Sequence, residues 1–372
     1  SSAASDVYKR QGCVWFFFYK FYYTEYKQGN LMAQTDYAAT NTRVHWGGVD
    51  STIDQHLEIY KGLVDTRFGY QALFRMLSQQ RTTVPDSNNY RIDRMNTSQV
   101  HSRKAGEKLQ DQRVTSNKLN VIVEALLYIR NTLDWQDQWT SPDRLRELSD
   151  NNGYTMAEAY DEAHLIQLIK ARSWVAPTEL KPAFNDGIEI RATIKDNATT
   201  QADIEANAIA LELAHKAAIE TLIKRKTPMS DMVTVVTPEV FSILTQHPKL
   251  LNKDFSDPNG SYADRRVLRV NGVPVVEMVT FPTKKGTEYE GGHHPLSTTS
   301  NQFSFDCTED DLKVQMVIFS KSHSLVTVEA KGLTSQYIPS PEQFVNILDI
   351  YHMFTVATRR PDTVACVHIT KA

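Results

Sequence analysis

TTQADIEANAIALELAHKAAIETLIKRKTPMSDMVTVV, residues 199–236, decides the reading of this chain, because it writes a long helix, a stop signal and a buried strand in direct succession. Thr200 followed by Asp203 is a weakened capping box, and Ile204, Ala208, Leu211, Ala218, Ile219 and Leu222 recur at three- and four-residue steps, one apolar face of a helix. Lys224, Arg225 and Lys226 complement the negative end of the helix dipole, and Pro228 cannot continue it. The helix is therefore expected to stop near Thr227 after roughly 40 Å. Val233–Thr237 follows as a short β-branched strand, and Thr237, Pro238 and Glu239 read as N-cap, N1 proline and first-turn acid of a second helix that ends before His247-Pro248. Further on, 267–270, the turn pair Asn271-Gly272 and 273–278 spell a hairpin that needs positive φ at both turn residues. Pro274 suggests that its strand lies at a sheet edge. The stretch amounts to a compact α/β domain without a catalytic signature.

The totals bound what surrounds it. With 372 residues, 41% hydrophobic and 23% charged, the chain can bury two packed units and is not disordered throughout. A formal net charge of −3 argues against a broad basic face that grips nucleic acid. Cys13, Cys307 and Cys366 have neither the count nor the spacing of a disulfide framework or zinc site, which fits a reducing compartment.

Upstream, residues 1–31 differ in composition from the rest. Lys9 and Arg10 precede the aromatic run 14–23, but Lys20 interrupts it and no small-residue cleavage site follows, so the segment reads as a non-native upstream extension with Met32 as the start. Residues 51–80 carry helical fragments (Ile53, Leu57, Tyr60, Val64; Leu73, Phe74, Leu77) punctuated by Gly62 and Gly69, an arm of modest order. Between Asn88 and Lys118 the larger aliphatic residues are few and charged and amide side chains many, so this segment cannot bury a core by itself. It leads into a strong strand signal at 119–129, and together they suggest a long two-stranded loop that a second subunit supports. A helical region opens at Ser141-Pro142 and runs to Trp174 with a kink expected at Asn152-Gly153. Beyond the central hairpin, 283–302 reads as a polar loop, 314–319, 325–329 and 364–369 as strands, and 341–348 as a helix or arm. No internal repeat and no transmembrane span appears.

Signatures of catalysis are missing from the sequence: it has no Walker loop, dinucleotide-binding glycines, H-E-x-x-H or G-x-S-x-G. His293 and His294, with Glu288, Glu290 and Cys307, supply metal-ligating residue types on a polar loop but without defined spacing. Asp161, Glu162 and His164 share one helical turn and read as a solvated face with a packed histidine. Lys224–Lys226 reads as helix-terminal charge in preference to a localisation signal. No catalytic, cofactor-binding or metal residue is assigned. Arg103, Lys104, Glu107, Lys108, Asp111 and Arg113 instead interleave opposite charges along the 88–118 loop, a pattern suited to contact between protein subunits.

The order of these parts resembles the major capsid proteins of tailed phages with the Hong Kong 97 type fold, and among them those of short-tailed, T-seven-like phages. The motifs that carry the likeness are Ala105–Leu109, similar to a G-E-x-L turn in the family's extended loop, the hairpin Val270–Glu277, and Arg360–Ala365 leading into the last strand. The resemblance implies an α+β fold with an N-terminal arm at 32–87, an extended loop at 88–128, a spine helix and peripheral domain at 129–178, an axial domain at 179–322 and a return to the peripheral domain at 323–372. It implies an icosahedral shell of hexamers and pentamers built from copies of this chain. Scaffolding and portal proteins and packaged double-stranded DNA, bound without sequence preference, are the other implied partners, with no membrane and no cofactor. The implied location is the virion capsid, assembled in the host cytoplasm. Relatives often carry glycines before the Arg-Pro pair where this chain has Val356, Ala357 and Thr358. Cross-linking through a lysine and an asparagine of neighbouring subunits is not carried over: Lys104 and Lys108 lie in the right loop, but no matching asparagine motif is present. A bacterial cargo compartment of the same fold is the alternative, and a metal-dependent hydrolase the alternative from another class.

Overall fold

A computed structural model describes residues 62–69, 71–83, 87–136, 144–181, 183–247 and 268–371. All belong to the second of two compact units, residues 59–372. The expectations for residues 1–31 and Met32, for Ile53, Leu57 and Tyr60, and for the helix opening at Ser141-Pro142 lie outside the described residues.

In chain order the strands are β1 (Gln79–Thr82), β2 (Asn89–Met95), β3 (Ser116–Ile122), β4 (Leu127–Asp134), β5 (Ile188–Ile194), β6 (Met232–Val236), β7 (Leu268–Val270), β8 (Val273–Glu277), β9 (Val314–Ser320), β10 (Leu325–Ser340), β11 (Val345–Thr358) and β12 (Val364–Lys371). Three of the helices are α1 (Arg144–Lys170), α2 (Gln201–Lys224) and α3 (Pro238–Thr245). A six-stranded sheet runs β5-β12-β9-β6-β8-β7, a four-stranded sheet β1-β10-β11-β4, and β2 and β3 form a separate ribbon.

Alternation along the central strands builds the six-stranded sheet into a layered core. Val317 and Phe319 of β9, Val364 and Cys366 of β12 and Val233 and Val235 of β6 join the cluster that holds Leu165, Ile166, Leu168 and Ile169 of α1. Their neighbours Met316, Ile318, Ala365, Val367, Met232 and Val236 join the opposite cluster, with Leu211, Ala218 and Leu222 of α2 and Val240 and Leu244 of α3. Both faces of these strands are covered, so their sequences are apolar almost throughout.

The central stretch folds as its signals require. Thr200 caps α2 by accepting from the Asp203 amide, and Thr237 caps α3 with Pro238 at N1. The helix stops three residues early, at Lys224. Lys226 takes a left-handed conformation (φ 62°), its N–H bonds the Ile223 carbonyl and that of Thr227 the Leu222 carbonyl, a Schellman closure made without glycine. Asn271 and Gly272 both have positive φ, 52° and 81°.

Elsewhere the structure corrects the sequence reading. Pro274 does not mark an edge, because β7 flanks β8 on the outside. Val270 and Val273 close the two-residue turn, so the next pair, Arg269 and Pro274, falls where no ladder bond runs towards β7, and pairing with β6 begins only at Val275. The expected strand 119–129 is two strands in different sheets, interrupted at 123–126. The expected helix or arm at 341–348 is the turn and first residues of the β10–β11 hairpin. Helix α1 passes through Asn152 and Gly153 without interruption. The glycine serves packing, since a Cβ there would stand 3.1 Å from the Val64 carbonyl and from the Arg67 Cβ of the helical stretch 62–69. The stretch expected as an arm of modest order buries Val64 and Phe68 against α1. Within 323–372, β10 and β11 lie in the four-stranded sheet and β12 in the six-stranded one, between β5 and β9.

Candidate assembly surface

The loop expected between Asn88 and Lys118 has a fixed base and an open end. In β2 and β3, paired from Asn89–Ile122 to Met95–Ser116, the inward residues Ile92 and Val121, with Val123, pack on Val326, Val328 and Ala357 of β10 and β11. The chain's own sheet therefore orders this base, which corrects the expectation that support for the whole segment comes from a neighbouring subunit. Arg94 also points inward. Its guanidinium donates to the Thr358 carbonyl at 2.7 Å and lies over the Trp174 ring, and burial lowers its pKa to about 10, with Asp362 opposing that shift and Arg360 adding to it.

Where the strand pairing ends, Asn96 closes the base. Its amide donates to the Lys181 and Glu179 carbonyls, its oxygen accepts from the Ala183 and Thr97 amides, and Thr115 donates to Glu179 as well. These contacts tie the ribbon to the passage between α1 and β5. Arg360 and Asp362 support the same place: they form a bidentate pair, Arg360 donates to the Ala183 carbonyl, and its guanidinium stacks 4.6 Å from the Phe184 ring centroid. Arg225 reaches across from the end of α2 to the carbonyls of Asp186 and Asp362.

Beyond this anchor, 97–114 is exposed almost throughout. The tip is a turn in which the Glu107 amide donates to the Lys104 carbonyl and the Lys104 amide to the Glu107 carboxylate, with Gly106 at φ 94°. Arg103, Lys104, Glu107, Lys108, Asp111 and Arg113 all lie on this exposed part, and none forms an ion pair among the described residues. The apolar side chains of Val100 and Leu109 stand in solvent, 101% and 77% exposed.

The other candidate clusters are structural. Asp161 is buried, not on a solvated face: its carboxylate accepts from the Leu73 and Phe74 amides at 3.0 and 3.1 Å, and burial raises its pKa to about 6 against those bonds. Glu162 accepts from the Tyr289 hydroxyl, and His164 bridges the Tyr160 carbonyl and the Thr327 hydroxyl while stacking on Phe74. The three side chains thus meet different partners and do not converge. In the 283–302 loop, Asp306 gathers the His294 amide, Ser297 and His293, while His294 itself is buried on Phe305. Among the described residues no group of three or more His, Cys, Asp or Glu could hold a metal ion, and no helix is long and apolar enough to cross a membrane.

The sequence reading gave Asn96 and Thr115 no role and did not foresee the anchoring contact of Arg94. No local signal marks them, since their partners lie 64 to 264 residues away along the chain.

No protein-family model matches the chain, and no curated protein matches it. Solved structures do. The chain is similar to the mature capsid of bacteriophage PhiM1, with 41% identity over 90% of this chain and 98% of that one and a TM-score of 0.69. It also shares its fold with the capsid of cyanophage P-SCSP1u (17% identity, 81% and 89% covered, TM-score 0.65) and with Mycobacterium phage Che8 (15% identity, 80% and 91% covered, TM-score 0.53).

Proposed function

Because this chain belongs to the bacteriophage major capsid proteins of the Hong Kong 97 type, we propose that it builds an icosahedral shell around packaged double-stranded DNA, with the 96–115 loop as the strap that holds one subunit to the next. The chain is a structural protein of the virion capsid, and its principal partner is itself. Our reading adds hexamers and pentamers, scaffolding and portal proteins as assembly partners, DNA held without sequence preference, assembly in the host cytoplasm and kinship with T-seven-like phages. We assign the chain no enzymatic role. The observation that carries the reading is the 41% identity spanning 98% of a mature phage capsid subunit, which also favours a virus over a cargo compartment.

The loop fits the role of strap in its chemistry. Its base is anchored within the chain, while its end offers charges of both signs and two bare apolar side chains, Val100 and Leu109, with no use inside the subunit. Each exposed charge pair is worth only ~0–1 kcal/mol, but every subunit of a closed shell repeats the contact.

Negative-stain electron microscopy of the purified chain should show uniform hollow particles; a monodisperse monomer under all assembly conditions would overturn the reading. Reversing Glu107 and Asp111 to lysine should leave circular dichroism and melting of the subunit unchanged and impair assembly, more so as salt screens the remaining attractions. Full-sized particles of the double variant at normal yield, or a subunit that unfolds outright, would show that the loop is not the strap.

A further inference from the structure

Helix α2 is apolar on two sides, and the fold uses only one. Ala208, Leu211, Ala218, Ile219 and Leu222 are buried in the core beside β5 and β12. On the opposite side Ala202, Ala206, Ile209, Leu213, Lys216, Glu220 and Ile223 are exposed and follow one another at alternating steps of four and three residues, the spacing of a coiled-coil seam. Ile209, Leu213 and Ile223 are 42%, 58% and 48% exposed, a large share for branched aliphatic side chains on one helix face. Lys216 and Glu220 sit in the middle of the seam and form no ion pair among the described residues.

The arrangement is symmetric about Ala218. Leu213 and Ile223 are equidistant from it, and so are Lys216 and Glu220. A second α2 laid antiparallel over the first would therefore place apolar on apolar and lysine on glutamate in four successive layers. A parallel pairing in register would set lysine on lysine and glutamate on glutamate. An isologous contact needs a surface complementary to itself, and this seam is so only in the antiparallel sense. The central charges would fix the register, as a polar seam position does in a coiled coil.

We propose that this face of α2 seats against the same face of a second copy of the chain, antiparallel, with Leu213 over the partner's Ile223 and Lys216 against the partner's Glu220. The contact goes beyond the loop's proposed role, uses a different face of the molecule, and can be measured on subunits that have not formed shells.

The test is sedimentation velocity of the full chain below the concentration at which shells form, with far-ultraviolet circular dichroism as the check on folding. The wild-type chain should pair. Lys216→Glu alone and Glu220→Lys alone each set like charges against one another in both central layers and should weaken pairing about ten-fold or more. An equimolar mixture of the two variants should regain wild-type pairing, because each then meets its opposite across the seam, which no contact within one chain can imitate. The uncharged Leu213→Ser should weaken pairing without rescue by either variant. A wild-type chain that does not pair, single variants that pair like wild type, or a mixture as weak as its parts would each overturn the proposal; in the last case the stripe meets some other surface. The Glu107 and Asp111 double reversal should keep α2 pairing while impairing assembly, so failure of this contact and failure of the shell reading remain distinguishable.

Discussion

Gly187→Ala tests the junction on which the assembly surface rests. Gly187 lies between the end of α1 and the start of β5, with its N–H on the Trp174 carbonyl at 2.7 Å. A Cβ at this position would stand 2.2 Å from the Arg172 carbonyl oxygen, 2.4 Å from that of Ala171 and 2.6 Å from the Arg172 carbonyl carbon. Real Cβ contacts stay beyond 3.0 Å, so one side must move by roughly 0.8 Å or more, and all three atoms are backbone. Neither side is free to do so. Arg172 is held by Asp311 at 3.0 Å and Glu189 at 3.4 Å, Ala171 is fully buried, and pairing of β5 with β12 begins at the next residue, Ile188. Overpacking of this kind costs about 1–3 kcal/mol, and the rigidity of both sides points to the upper end, which for a unit of this size corresponds to a melting point lower by roughly 4–5 °C. The assay is thermal unfolding of the unassembled subunit by circular dichroism, with Gly332→Ala as control because a Cβ there meets nothing within 4 Å. Equal melting points for the two variants would refute the reasoning.

Three further outcomes follow from the geometry. Lys226→Gly should raise the urea midpoint, because the left-handed conformation costs a non-glycine residue about 1–2 kcal/mol while the added freedom of the unfolded chain returns only about 0.4–1; a lower midpoint would contradict the Schellman closure. Gly272→Val should cost on the order of 1–3 kcal/mol, since φ is 81° and the Met229 methyl would lie 2.7 Å from the new Cβ; an unchanged midpoint would count against the hairpin. Acid should destabilise the subunit between pH 6.5 and 4. Burial lowers the pKa of His164, His215 and His294 to about 4, so in that window the unfolded chain binds more protons than the native one and stability drops as the pH drops. Asp161, raised to about 6, and Glu162, also raised by burial, act in the opposite sense, but with His368 also lowered by burial the four histidines outweigh the two carboxylates. A urea midpoint higher at pH 5 than at pH 7 would overturn this balance.

Comparison of the 199–278 stretch with the rest of the chain shows what is local. The sequence alone determined α2, its Thr200 cap, the Thr237-Pro238 start of α3 and the Asn271-Gly272 turn, because each is specified by residues within four positions of one another. The ordered resemblance of the parts likewise pointed to the Hong Kong 97 type fold that the capsid structures share. Tertiary structure alone decided that 119–129 divides between two sheets, that β12 enters the six-stranded sheet between β5 and β9, and that Asp161 is buried as a cap for Phe74. It also decided that the ribbon rests on its own chain through Arg94, Asn96 and Thr115. A polar residue carries the same local signature whether solvent or a buried carbonyl will meet it. Only long-range packing brings that carbonyl within 3 Å, and packing likewise determined which apolar face of α2 became core and which was left at the surface.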